Sequence, residues 1–289
     1  MRHSKRFFSK SITRLCFAVV VGVAGYSQPL SAQQSSSLIT THQDSQHIFD
    51  HSTVRLIIGE YNNKAWTAGV EIELAPGWKT YWRVPGDSGV PAEFDWTNST
   101  NVKTTKVFWP APKRYEDITG KSIGYKKHVV FPVTVTPENT DAPAKLDLQF
   151  YYAVCNDICI PAQANLKLNL PIKTQSNMSL QRIRSFEAQV PKASESAIHI
   201  VETKAILINK KPVLSVKISG KVAEKTDILV EGFDAAFFES PQSVSTKNGE
   251  HLFHLPIDGI EKPGELTGKT LKLTILSGDV KFEKSIQVN

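Results

Sequence analysis

Short runs in which apolar and polar residues alternate one by one constrain the fold of this chain more than any other feature. In 164–170, leucines at every second position alternate with Lys167 and Asn169, which is the pattern of a strand with one buried face. Similar runs recur every ~8–15 residues with turn residues between them, as in β-sandwiches and barrels. The strand-like runs are 54–58, 68–74, 102–108, 129–135, 146–152, 164–170, 198–208, 213–218, 228–230, 251–255, 271–275 and 280–288. We therefore predict an all-β fold.

The rhythm of strand-like runs breaks near the middle of the chain. There Ser179 is placed to begin a short helix that ends before Pro191, because Ser favours helix N-termini and Pro cannot continue a helix. The break predicts two β-sandwich domains joined by a linker. The predicted segments are a flexible arm at 33–52, a first sandwich at 53–172, a linker at 173–194 and a second sandwich at 195–289.

The N-terminus has the pattern of a secretory signal. Residues 1–14 carry five Lys and Arg and no acidic residue, an apolar run follows at 15–25, and a small-residue site ends at Ala32. This order is typical of a cleaved signal, and the apolar run is shorter than the ~20 residues of a membrane-spanning helix. We therefore predict a signal peptide at 1–32 and a periplasmic protein without a later membrane span. An uncleaved N-terminal anchor is the alternative.

The net charge of the chain depends on this signal. The whole chain has 34 basic and 28 acidic residues, and removal of 1–32 leaves 29 and 28. A nearly neutral protein has no electrostatic footprint for nucleic acid or for an anionic membrane. Neither partner is therefore expected.

Cys155 and Cys159 are the cysteines that remain after the signal. Disulfides persist in oxidising compartments, but a ring this short gains only about 2 kcal/mol in the chain-entropy model. A bridge that served stability would connect distant strands, whereas this one joins the two ends of a turn. Since strained or exposed disulfides are the exchangeable ones, we predict a redox-active pair. A static staple of the turn remains the alternative.

A copper site is a further alternative for the same two cysteines. Thiolates favour Cu(I), and the segment before the first sandwich adds His42, His47 and His51. On a helix, His47 and His51 would share one face, but the segment lacks helical patterning and is expected to be a disordered arm. The main expectation is a protein without a cofactor.

Four segments of the chain together carry a resemblance to a known family. They are PGWKTYWR at 76–83, WPAP at 109–112, KRYEDITGKSIGY at 113–125 and YYAVCNDICIP at 151–161. The chain resembles the N-terminal periplasmic domain of the thiol–disulfide interchange protein DsbD, and more closely still the related suppressor-of-copper-sensitivity membrane reductases. Through 230–234, the second predicted domain resembles the second immunoglobulin-like module of that family more weakly.

The resemblance implies two immunoglobulin-like sandwiches and an electron-carrying function. By this resemblance Cys159 is the nucleophile that forms mixed disulfides, and Cys155 resolves them. The partners would be thioredoxin-fold periplasmic proteins, with a separate membrane protein as electron donor, because membrane helices and a thioredoxin domain are not found up to Asn289. The family's best-known member has five residues between its cysteines, and this chain has three.

The resemblance also assigns residues around the cysteine pair. A cap loop is expected from Tyr115 to Ser122, including Ile118, Thr119 and Gly120. On that loop Glu116 and Asp117 are candidates for proton transfer. Tyr81 and Trp82 are expected to form an aromatic wall beside the pair.

Overall fold

The computed structural model describes residues 46–86, 89–118, 120–172, 178–193 and 197–289. The described residues all belong to one compact unit. The predicted signal peptide, His42 and Thr119 lie outside the described residues. A search of the described helices finds none with the length and apolar character of a membrane span.

The all-β prediction is confirmed, since strands alternate with short turns along the described residues. The strands are β1 (Gln46–Phe49), β2 (Ser52–Asn62), β3 (Ala65–Leu74), β4 (Lys79–Gly86), β5 (Glu93–Asp95), β6 (Thr104–Val107), β7 (Lys113–Asp117), β8 (Gly120–Lys126), β9 (His128–Thr136), β10 (Ala144–Cys155), β11 (Cys159–Leu170), β12 (Ile198–Ile208), β13 (Lys211–Gly220), β14 (Thr226–Glu231), β15 (Phe237–Phe238), β16 (Gln242–Lys247), β17 (Glu250–Asp258), β18 (Thr270–Ser277) and β19 (Val280–Gln287). An α-helix, α1, spans Met178–Glu187, and a short 3₁₀ turn spans Pro263–Glu265.

The strands form four antiparallel sheets. The first sheet has the order β1-β2-β3-β9-β6, and the second has the order β11-β10-β4-β8-β7 with β5 beside β10. After α1, a third sheet runs β12-β13-β17-β15 with β16 beside β17, and a fourth runs β14-β18-β19. This is the immunoglobulin-like fold that the resemblance implies.

Apolar side chains from the first two sheets form one core, in which Trp66, Trp82 and Phe131 are among the largest buried groups. The third and fourth sheets enclose a second core. In β11 every second residue from Ala164 is buried, as the alternation of leucines predicts.

The end of the predicted arm is a strand rather than a flexible segment. Gln46–Phe49 pairs residue for residue with the first part of β2. Its side chains are largely exposed, so the apolar alternation that identifies a strand is missing. This segment is held as a strand by its backbone pairing with β2.

Helix α1 begins at Met178, one residue before the predicted start, and buries Leu180 and Ile183. Ile183 packs against Ile57 and Val130 on the outer face of the first sheet. Below the helix, the carboxylate of Glu71 binds Arg55, His128 and Arg182. The linker helix is therefore fixed to the first sheet by an apolar contact and an ion-pair cluster.

Candidate redox site

The cysteine pair closes the hairpin between β10 and β11. Cys155 is the last residue of β10, Cys159 is the first of β11, and the two are directly opposed in the ladder. Their Sγ atoms lie 1.97 Å apart in a disulfide, with the Cα atoms at 4.2 Å. The disulfide therefore joins the two ends of a three-residue turn, which is the arrangement that the spacing predicts.

The two sulfur-bearing residues differ in exposure. Cys155 is fully buried, because β10 has neighbours on both sides in the sheet. Cys159 is exposed, because it begins the edge strand β11. In the turn between them, Ile158 is 65% exposed. An attacking thiol from solvent can therefore reach Cys159 but not Cys155.

The Tyr81 hydroxyl contacts both sulfur atoms. It donates a hydrogen bond to Cys155 Sγ at 2.6 Å and lies 3.2 Å from Cys159 Sγ. Burial raises the pKa of Tyr81, and the charge of Asp117 raises it further. Since the phenol already titrates far above neutral pH, the hydroxyl remains a donor aimed at the pair.

Trp82 does not belong to the wall that the resemblance assigns it to. Successive residues of a strand point to opposite faces of the sheet. Tyr81 therefore packs with Ala153 and Cys155, while Trp82 is buried in the main core. The Arg83 guanidinium lies over its ring at 4.4 Å.

Lys79 was not predicted as a site residue, but it is directly opposite Cys155 in the pairing of β4 with β10. Its side chain is only 1% exposed, and its Nζ donates to both carboxylate oxygens of Asp117, at 3.0 and 2.8 Å. The sequence offers one sign of its role, because Lys79 lies among the aromatic residues Trp78, Tyr81 and Trp82. A lysine that is buried among them needs a charged partner.

The predicted cap loop is a β-hairpin. Residues 113–117 of β7 pair with residues 120–124 of β8. Glu116 is opposite Lys121, and Asp117 is opposite Gly120. Gly120 has φ 103°, which suits a glycine in a tight turn. The hairpin approaches the cysteine pair through Asp117.

The remaining residues assigned to the cap take separate positions on this hairpin. Ile118, at the tip, is 82% exposed, and Glu116 is exposed. Tyr115 is partly buried, with Lys126 Nζ 4.7 Å from the centre of its ring. Ser122 is buried. Of the two candidate acids, Asp117 is the one bound to a group beside the pair.

The hairpin is anchored by residues of the third and fourth sheets and of the segment after β15. Near its base, Arg114 binds the Asp227 carboxylate at 3.0 Å and the backbone oxygens of Ile228 and Phe238 at 3.0 and 3.1 Å. Near its turn, Lys121 is ion-paired with Glu239. The hairpin is therefore fixed at its base, and its second strand has a further ion pair close to the turn.

His47 and His51 of the copper alternative do not share a helical face. His47 lies in strand β1, and its ring packs on Phe49 with a centroid distance of 4.4 Å. His51 stacks on Trp78 at 3.8 Å. The strand conformation removes the i, i+4 arrangement on which a shared face depends.

Among the residues that the structure describes, one group of His, Cys, Asp and Glu has the spacing of a metal site, namely Glu71, Glu73 and His128. Its carboxylates are bound by cations, because Arg55 pairs with both Glu71 and Glu73. Arg182 also pairs with Glu71. These charges explain the cluster as an ion-pair network.

Residues 53–171, which include the disulfide hairpin and the β7–β8 hairpin, match the family model described as "Thiol:disulfide interchange protein DsbD, N-terminal". These residues are similar to the N-terminal domain of DsbD. The recognition made from the sequence segments is therefore confirmed.

A solved structure extends the likeness beyond this domain. The chain is similar to the crystal structure of the N-terminal periplasmic domain of ScsB from Proteus mirabilis, with a TM-score of 0.67 and 23% identity. The match covers 85% of this chain and 98% of that chain, so the shared fold includes the sheets after α1. No curated protein matches the chain.

Proposed function

We propose that this chain is a periplasmic thiol–disulfide exchange module that passes electrons between thioredoxin-fold proteins through Cys155 and Cys159. The observation that carries the proposal is the unequal burial of the two cysteines. One sulfur is open to attack, and the other is held under a hydrogen-bond donor.

The exchange has two steps with balanced electrons. A partner thiolate attacks Cys159 Sγ, the Cys155–Cys159 bond breaks, and Cys155 leaves as a thiolate. The partner's second thiolate then attacks the partner sulfur in the mixed disulfide, and Cys159 leaves as a thiolate. The partner is oxidised to its disulfide, and the pair gains two electrons and two protons. The reverse order passes them on.

The hydrogen bond from Tyr81 supports this assignment of roles. A leaving thiol with a low pKa departs faster, and hydrogen bonds to charged groups are stronger than those to neutral ones. The Tyr81 hydroxyl is already within 2.6 Å of the sulfur that leaves first. Cys159 as the attacked atom and Cys155 as the resolving atom therefore fit the geometry.

The periplasm is the proposed location. The DsbD N-terminal family is described as a thiol:disulfide interchange protein, and the ScsB domain of similar fold is named as periplasmic. A cleaved signal at 1–32, predicted from the sequence, agrees with export.

Trapping of the mixed disulfide tests the function. With Cys155→Ser, a covalent complex between Cys159 and a thioredoxin-fold partner is expected to accumulate, because the resolving sulfur is gone. The matched control is Cys159→Ser, which leaves the buried Cys155 and is expected to trap little. Complexes are counted on non-reducing gels after acid quenching.

One kind of result would contradict the proposal, and another would favour the copper alternative. Equal trapping by both variants, or by neither, would contradict an exchange role for the pair. Stoichiometric Cu(I) binding by the reduced protein that Cys155→Ala abolishes, without any exchange, would favour the copper alternative.

A further inference from the structure

Lys79 is a buried ammonium beside the disulfide that the exchange steps above leave unused. It is directly opposite Cys155 in the ladder, and directly opposed residues of neighbouring strands point to the same face. Tyr81, two residues along β4, shares that face and contacts the Cys155 sulfur. Lys79, Tyr81 and Cys155 therefore form one cluster.

The partner of this ammonium belongs to the β7–β8 hairpin. Asp117 is the last residue of β7, and β8 lies between β7 and β4 in the sheet. In the ladder Lys79 is opposite Lys126 and Asp117 is opposite Gly120, so the hairpin end turns back toward β4 to form the ion pair at 2.8 Å. The Asp117 side chain is 30% exposed, in contrast to Lys79. A displacement of the hairpin tip would carry the carboxylate away and leave the ammonium in place.

We propose that Lys79 stabilises the Cys155 thiolate released during exchange, and that Asp117 offsets this charge while the β7–β8 hairpin is in place. The inference rests on the proposed function for its purpose, because only exchange releases the thiolate. A partner that displaces the hairpin on docking would turn the ammonium from the carboxylate toward the sulfur.

The energetics favour such a transfer of partners. A buried charge is destabilised when it loses an ion-pair partner, so a thiolate released beside Lys79 becomes more favourable when Asp117 withdraws. The directly opposed Cβ atoms of two strands lie only ~5 Å apart, so a lysine side chain that turns toward the sulfur can bring its ammonium close to it. An opposite charge within ~4–6 Å lowers the pKa of an acid by about 1–3 units. The thiolate of Cys155 is the anion that exchange supplies.

Two variants that break the same ion pair give opposite predictions. In the reduced protein, Lys79→Met is expected to raise the midpoint of Cys155 titration by about one pH unit, because the cation is lost. Asp117→Asn is expected to lower it, because the offsetting carboxylate is lost. The midpoint is measured from the ¹³Cβ chemical shift of Cys155, which is assigned by its disappearance in Cys155→Ser.

The opposite signs separate this effect from a structural one. Both variants break the same ion pair, so a purely structural role would move both midpoints in the same direction or neither, and either result would overturn the inference. Lys79→Arg, which keeps the charge, should restore the midpoint. Lys167→Met removes the exposed lysine of the Lys167–Asp147 pair and should leave the Cys155 midpoint unchanged.

The titration needs no partner protein, so its outcome is independent of trapping. If Lys79→Met does not fold, the direction in which Asp117→Asn shifts the Cys155 midpoint still tests the inference. Midpoints that move as expected in a protein that never exchanges would refute the proposed function alone. Unmoved midpoints in a protein that exchanges would refute the inference alone.

Discussion

The ion-pair cluster under helix α1 predicts a specific loss of stability in acid. Burial raises the pKa of Glu71, but hydrogen bonds from His128 and Arg55 and the charges of Arg55 and Arg182 outweigh it, so that the pKa falls from 4.5 to about 2. A carboxyl whose pKa is lower in the folded state stabilises the fold above its unfolded pKa. That stability is lost as the pH falls toward the folded pKa.

The size of the effect follows from the shift. At 1.36 kcal/mol per pH unit, ionised Glu71 contributes about 3 kcal/mol at pH 6, of which about 2 kcal/mol is lost by pH 3. The unfolding free energy of Glu71→Gln should therefore fall between pH 6 and pH 3 by about 2 kcal/mol less than that of the wild type. All five tryptophans precede α1, so urea titrations followed by tryptophan fluorescence report on the first two sheets.

Glu73→Gln is the matched control. Glu73 also pairs with Arg55, but its side chain is 54% exposed, and exposed pairs contribute about 0–1 kcal/mol. Its removal should leave the acid dependence almost unchanged. If the two variants have the same pH dependence, or if Glu71→Gln retains that of the wild type, the cluster does not stabilise the fold as described.

Three further predictions concern the site and its support. Tyr81→Phe removes the donor to Cys155 and should raise the Cys155 midpoint by about 1–2 pH units, since a hydrogen bond to a charged group contributes ~1.5–3 kcal/mol; an unchanged midpoint in the NMR titration would contradict this. Arg114→Met removes the anchor of the hairpin and should speed proteolytic cleavage near Ile118, whereas equal cleavage would mean that the base is held by other contacts. Leu166→Ala should cost about 2–5 kcal/mol in urea unfolding, because Leu166 is fully buried, and a loss below 1 kcal/mol would contradict its place in the core.

The strands with one apolar face could be predicted from sequence, because burial on one side produces a period of two. Leu166 and its neighbours in β11 are the clearest case. Strand β4 lacks that signal, since Lys79 and Thr80 are both buried polar residues at its start. The resemblance assigns the adjacent aromatic residues Tyr81 and Trp82 to one wall, although strand geometry separates them.

The cysteine pair itself was evident from spacing, because a bridge over three residues requires a tight turn. The groups around it were not, since they depend on which strands become neighbours. Lys79 and Asp117 are 38 residues apart in sequence, and they meet because β7 and β8 lie beside β4 and the end of their hairpin turns back toward it. The β7–β8 hairpin has a largely polar, exposed first strand and therefore has the sequence pattern of a loop.

The most direct test of the exchange function is thiol trapping of the folded wild-type protein. The oxidised protein is mixed with an equimolar reduced thioredoxin-fold protein, quenched with acid, and alkylated so that each free thiol adds mass. Rapid gain of two thiols in the folded protein, with the partner oxidised in the same proportion, is the expected result. A disulfide that stays closed until the fold is melted would contradict an exchange role for Cys155 and Cys159.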